Sequence, residues 1–154
     1  MDLADLLSPD GVLPMLRANS KKQAIQDLAA RAAIVTGLPE REIFDKLLQR
    51  ERLGSTGVGH GVAIPHGKLP QLKHLVGLFA RLDRPVDFDA IDDQPVDLIF
   101  VLLAPEGAGA DHLKALACVA RQLREPAIAA NLRACRDKDA LFAVLTHSAS
   151  SNAA

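Results

Sequence analysis

The chain has no tryptophan and no tyrosine, and five phenylalanines bring its aromatic share to only 3%. Proteins that hold single-stranded nucleic acid stack bases on aromatic faces, so this scarcity argues against that class. Charge imbalance is missing too. Eighteen Lys and Arg meet nineteen Asp and Glu, a formal net charge of -1, so no global field recruits DNA or an anionic membrane. Cysteine is scarce: Cys118 and Cys135 stand apart with no CxxC. Two buried or half-buried free thiols are expected, not a disulfide. No apolar run approaches bilayer-spanning length. The start, Met1-Asp2-Leu3-Ala4-Asp5, lacks the basic and apolar regions of a signal peptide, and a cytoplasmic location is expected.

What is present is aliphatic. Of 154 residues, 49% are apolar, enough for one domain with a core of Leu, Ile, Val and Ala. Val12, Leu13, Met15 and Leu16 read as a first strand weakened by Pro14. Ser20 reads as an N-cap for a helix carrying Ile25, Leu28, Ala29, Ala32 and Val35, which Gly37 ends. Pro39, at a first-turn position with Glu40 and Glu42, opens a second helix with an apolar face of Ile43, Phe44, Leu47 and Leu48. Arg50 and Arg52 close it, where cations suit the helix dipole. Leu75 to Leu82 reads as a strand, and Val96 to Leu103 is apolar enough to be central in a sheet. Asp111 reads as the cap of a helix with Leu113, Leu116, Ala117, Ala120 and Leu123 on one face. Pro126 starts another helix, and Asp137 a last one through Leu145. Residues 1–147 form a single domain in this reading, and Ser148 to Ala154 a small polar tail. Helices before, between and after the strands predict an α/β sandwich with helices on both faces of one sheet.

The most informative stretch is Gly61-Val62-Ala63-Ile64-Pro65-His66-Gly67-Lys68. Val62 to Ile64 reads as a short buried strand that Pro65 ends, because proline donates no ladder hydrogen bond. His66 then sits at a strand end, where side chains meet solvent. Gly67 leaves room for a close approach, and Lys68 adds a cation. Before it runs Gly54-Ser55-Thr56-Gly57-Val58-Gly59-His60-Gly61. Glycine at that density points to a backbone that must come close to something. Two nucleotide motifs are excluded. The P-loop spacing meets Val62 where glycine is required and Leu69 where a hydroxyl is required. The dinucleotide fingerprint meets Val62 or Ile64 where it requires glycine, and it follows a strand, not precedes one. Asp87, Asp89, Asp92, Asp93 and Asp97 do not fit an EF-hand loop and read as turn formers on a solvated surface.

The segment from Arg50 to Lys68 resembles the active-site segment of enzyme IIA of the bacterial phosphotransferase system, in the nitrogen-regulatory branch of the mannitol/fructose-type family. The block Phe88-Asp89-Ala90-Ile91-Asp92-Asp93-Gln94-Pro95-Val96-Asp97-Leu98-Ile99-Phe100 resembles the same branch. One departure is His60, where such proteins often carry a small polar residue. The resemblance implies a three-layer α/β/α sandwich whose central sheet is mixed. It matches His66 to the histidine that becomes phosphorylated, His112 to the second active-site histidine and Arg50 to the active-site arginine. It implies an HPr-like phosphocarrier as phosphate donor and regulation of target proteins by phosphorylation-dependent binding. No cofactor or metal is demanded. Arg52 keeps its structural reading. An apolar face around His66 including Val58, Val62 and Leu69 is expected. Arg50, Lys68 and the helix start at His112 should keep His66 neutral, with His60 a further imidazole that could titrate with it. Two alternatives stand beside the regulator. One is a sugar-specific IIA component that passes phosphate to a permease IIB domain. The other is a metal-binding module using His60, His66, His74 or His112, which no metal-ligand spacing supports.

Overall fold

The computed structural model describes residues 2–153, with side chains through residue 147. A turn of 3-10 helix, Leu3–Asp5, leads into β1 (Leu7–Leu16), then α1 (Lys21–Thr36) and α2 (Glu40–Leu53). Three short strands follow, β2 (Gly57–Gly59), β3 (Val62–Ala63) and β4 (His66–Lys68), and then the long β5 (Val76–Val86) and β6 (Val96–Ala104). The chain ends in α3 (Ala110–Leu123), α4 (Pro126–Ala134) and α5 (Lys138–Ala153). The expected polar tail, Ser148 to Ala154, lies outside the residues with described side chains.

All six strands share one sheet in the order β1-β5-β6-β3-β2, with β4 also on β6. The sheet is mixed: β1 is parallel to β5, β5 antiparallel to β6, and β3 and β4 parallel to β6. Val96 to Leu103 is central, as its apolar run predicts. Its side chains alternate by the period of a strand: Ile99, Val101 and Leu103 enter one core, Leu98, Phe100 and Leu102 the other. The first core is closed by α1 and α2 through Ile25, Leu28, Ile43 and Leu47. The second is closed by α3, α4 and α5 through Val119, Leu123, Leu132 and Leu141. Helices therefore cover both faces, giving the three-layer α/β/α sandwich. Each large aliphatic side chain so buried contributes about 1.5–3 kcal/mol of transfer free energy.

The local signals mostly hold. The Ser20 hydroxyl accepts the Gln23 N–H at 3.1 Å, and Gly37 ends α1 with φ 75°. Others shift. β1 begins at Leu7, ahead of the expected start, because it is an edge strand and tolerates Pro9 and Pro14 there. β5 continues to Val86. Pro39 precedes α2 as its N-cap. Gly109, not Asp111, caps α3. Asp111 is one residue inside the first turn, where its charge suits the helix start. α5 runs past Leu145.

Candidate active site

His66 stands at the start of a further strand, not beyond the last pairing of one. Pro65 interrupts the line, and the chain then resumes pairing with the same neighbour: Ala63 pairs with Ile99 and His66 with Leu102. The Pro65 carbonyl accepts the Leu102 N–H at 3.0 Å, so the break costs no acceptor. His66 thus opens β4, its backbone held by the central strand and its side chain half-exposed. α2 lies against β4, and a Cβ on Gly67 would make an ordinary 3.4 Å contact with the Lys46 Cβ. Of the preceding glycines, Gly57 faces inward, where a Cβ would meet Ala90 at 2.8 Å, while Gly54 faces open space.

Two helices converge on His66. From the last turn of α2, Arg50 donates Nε–H to His66 Nε2 at 3.2 Å. An arginine Nε is always a donor, so His66 Nε2 is the acceptor nitrogen. The ring proton then sits on Nδ1, which donates to the Ile64 carbonyl at 2.9 Å. From the first turn of α3, His112 meets the His66 ring edge-on, with centroids 5.6 Å apart and planes at 74°. His112 is 7% exposed, and its Nε2 is buried with no hydrogen-bond partner among the described residues. A buried polar atom without a partner is costly, so its presence points to a group that arrives later.

These side chains line an open cleft of about 620 Å³ together with Lys46, Gln49, Leu53, Gly67, Lys68 and Glu106. The structure brings His66, His112 and Arg50 together and leaves Arg52 exposed outside. Lys46, Gln49 and Leu53 escaped the sequence reading, although their spacing puts them on the α2 face that carries Arg50. Glu106, in the loop before α3, had no sequence signal. The expected apolar face is corrected. Val62 and Leu69 are fully buried and Val58 is half-buried. The exposed apolar side chains here are Leu53 in the cleft and Leu113 next to His112 in sequence, 85% and 69% exposed.

Both histidines are held below the ordinary imidazole pKa. For His66 the largest cause is burial. The Ile64 hydrogen bond opposes it, Arg50 adds to it, and Glu51 opposes it weakly. For His112 burial again leads, followed by His66 and Lys68. The direction is the expected one, but desolvation rather than neighbouring cations comes first. The imidazole packed against His66 is His112.

Behind the cleft lies Glu51, on the buried face of α2 at helical spacing from Ile43 and Leu47. Lys21 Nζ stands 2.6 Å from one of its oxygens. The Thr56 N–H donates to both oxygens at 3.1 and 3.2 Å, and the Thr56 hydroxyl donates to Oε1. Far along the sheet, His60 sits at the β2–β3 turn with φ 57°. Its N–H donates to Asp92 at 2.9 Å, and its carbonyl accepts from Arg133 at 2.8 Å. Arg133 also grips Asp97 through Nε and Nη2 at 2.9 and 3.0 Å. Asp87 and Asp92 indeed form turns, accepting from the Asp89 and Gln94 N–H groups, whereas Asp97 lies in β6 and pairs with Arg133. Among the described residues, no three His, Cys, Asp or Glu are grouped to hold a metal ion, and no helix is long and apolar enough to cross a membrane. Cys135 is a half-buried free thiol, and Cys118 is buried.

Comparison with known proteins identifies the family and agrees with the fold. The family profile described as phosphoenolpyruvate-dependent sugar phosphotransferase system, EIIA 2, matches residues 5–148. The chain is 64% identical over 145 residues to a nitrogen regulatory protein of Bradyrhizobium diazoefficiens, spanning 94% of this chain and 95% of that one. It is 35% identical over 127 residues to a fructose-specific EIIA component of Haloferax volcanii, 82% of each chain. The crystal structure of nitrogen regulatory protein IIA-Ntr from Neisseria meningitidis superposes with a TM-score of 0.88 at 35% identity, covering 94% of this chain and 99% of that one. The chain therefore belongs to the EIIA type 2 family of the phosphotransferase system, in its nitrogen-regulatory branch, and is a component of that phosphoryl-transfer machinery.

Proposed function

We propose that His66 accepts a phosphoryl group from the phosphohistidine of an HPr-like carrier, and that the phosphorylated and free forms then bind regulatory targets differently. The observation that carries this reading is the His66 ring itself. Its proton is tied at Nδ1 to the Ile64 carbonyl, so the lone pair of Nε2 faces the cleft. In the transfer, Nε2 forms a bond to phosphorus while the donor's P–N bond breaks, and that electron pair returns to the donor ring. Each ring keeps its own proton, so no general base is needed. Arg50 leaves Nε2 as phosphorus approaches, and its planar fork turns to the phosphoryl oxygens. His112, whose Nε2 has no other partner, meets another oxygen when that nitrogen carries a proton. Lys46 and Lys68 add positive charge at the cleft wall.

A phosphate on His66 changes the charge of a cleft bordered by exposed Leu53. Differential binding by a target follows from that change. The reading places the protein in the cytoplasm with its carrier. A sugar-specific IIA role would instead send the group to a permease IIB domain.

The relay assay tests both. Incubated with phosphoenolpyruvate, enzyme I and an HPr-like carrier, the protein should gain one acid-labile phosphate. Phosphorylated protein mixed with a fructose-type IIB domain should keep it. Rapid transfer to that domain would favour the sugar-specific role, and no phosphate uptake at all would reject the relay.

A further inference from the structure

We infer that Glu51 is a positioning residue for His66 chemistry, acting through Thr56 and the Gly54 carbonyl to aim the Arg50 guanidinium; this rests on the reading of His66 as phosphoryl acceptor. Glu51 does not line the cleft and touches no reacting atom. Its neighbour in the helix does. Arg50 is held at two points: Nη1 donates to the Gly54 carbonyl at 2.8 Å, and Nε to His66 at 3.2 Å. Whatever fixes the Gly54 carbonyl therefore fixes the arginine.

Gly54 opens the short connection between α2 and β2, and that connection is tied down from the Glu51 side. The Gly54 N–H donates to the Glu51 carbonyl at 3.1 Å. Two residues on, Thr56 gives its N–H and hydroxyl to the Glu51 carboxylate. Main chain and side chain of one residue thus bracket Gly54. The bracket has a rigid backing. Lys21 pairs with Glu51, donates to the Phe88 carbonyl at 3.3 Å and lies 5.0 Å over the Phe88 ring. Ser55 Oγ donates to the same carbonyl at 2.5 Å.

Stability alone does not account for this carboxylate. It is 6% exposed and continues an apolar face. A well-packed aliphatic residue at such a place is often as stable as a buried ion pair. What an aliphatic residue lacks is two oxygens that accept from Thr56 and hold the connection in register. Misplacing a charge-stabilising group by about 1 Å can cost about 100-fold in rate, so small shifts of Gly54 matter at His66.

The test is a double-mutant cycle in the relay assay. Glu51→Gln should slow phosphoryl uptake about tenfold in the wild-type background but less than about twofold in Arg50→Ala, because the two residues act in series. The ¹⁵N shift of His66 Nε2, which reads the Arg50 hydrogen bond, should move in Glu51→Gln toward its position in Arg50→Ala. If Glu51→Gln does not fold, Thr56→Val serves in its place, with Thr56→Ser as the rescue that keeps the hydroxyl. Equal slowing in both backgrounds, or an unmoved Nε2 signal, overturns the inference. Failure of the relay reading looks different: the wild-type protein itself takes up no phosphate, while the Nε2 signal still reports whether Glu51 aims Arg50.

Discussion

The line of β3 and β4 has a histidine and an arginine at each end, and the two ends are built on opposite plans. At the β2–β3 turn, Arg133 is committed through Nε and Nη2. It grips Asp97 through two nitrogens and the His60 carbonyl through one of them, while Asp92 holds the His60 N–H. At β4, polar groups are left with capacity. His112 Nε2 has no partner, and Arg50 meets His66 Nε2 by a single long bond. Satisfied polar groups rigidify a fold, and unsatisfied ones wait for a ligand. The same residue types therefore serve structure at one end and, in the proposed relay, chemistry at the other.

The largest break in that contrast is His66→Ala. It should abolish acid-labile phosphate in the relay assay while the circular dichroism spectrum stays native. Full labelling of that variant would place the acceptor elsewhere. Next, His112→Ala and Arg50→Ala should each slow uptake about 10- to 100-fold. That lies below the roughly 10²–10³ of a fully enclosed donor, because this cleft is open to solvent. Arg52→Ala is the control, and a larger loss there than in Arg50→Ala would move the role along the helix.

At the other end, Arg133→Ala should destabilise the fold by about 1–3 kcal/mol, leaving Asp97 and the His60 carbonyl unpaired. Thermal unfolding measures this, and the transfer rate of the folded protein should stay within about twofold. A tenfold slower rate would mean that the two ends are coupled. Titration sharpens the contrast further. His66 is held below the reference value of about 6.5, so it stays neutral and competent somewhat below that pH. The unfolded chain takes up that proton first, so this residue's share of stability is full above about pH 6.5 and falls as pH drops toward the folded value. NMR titration of the ring that gives a midpoint above the reference would contradict the buried, cation-flanked site. The smallest effect should come from His60→Asn. Asparagine tolerates the left-handed conformation at φ 57°, and the Asp92 contact is to main chain. Stability should change by less than about 0.5 kcal/mol, and the His66 titration should not move.

Much of this was legible where the signal is local. Ser20 and Gly37 mark the ends of α1 because caps act through adjacent backbone groups. The unbroken run from Val96 marks the central strand because both its faces are covered. What escaped is non-local. Residue spacing does not bring His112 to His66; only the family resemblance did, because β6 and a loop must fold between them. Pro65 read as a stop, yet β6 offers pairing on both sides of it. Val62 and Leu69 read as neighbours of His66, but their burial depends on which sheet face each meets. Glu51 could have been found: its spacing from Ile43 and Leu47 points it into the core.

The split strand has a consequence for quality control. β4 pairs with β6, which the chain reaches only after completing β5, and α3 follows later still. Arg50, His66 and His112 thus meet only through contacts distant in sequence, the slow part of folding. A nascent or partly unfolded molecule holds His66 but not its setting. Under the proposed relay, phosphorylation would therefore count finished molecules alone, and the level of the modified form would report the carrier's phosphate supply undistorted by chains still being made.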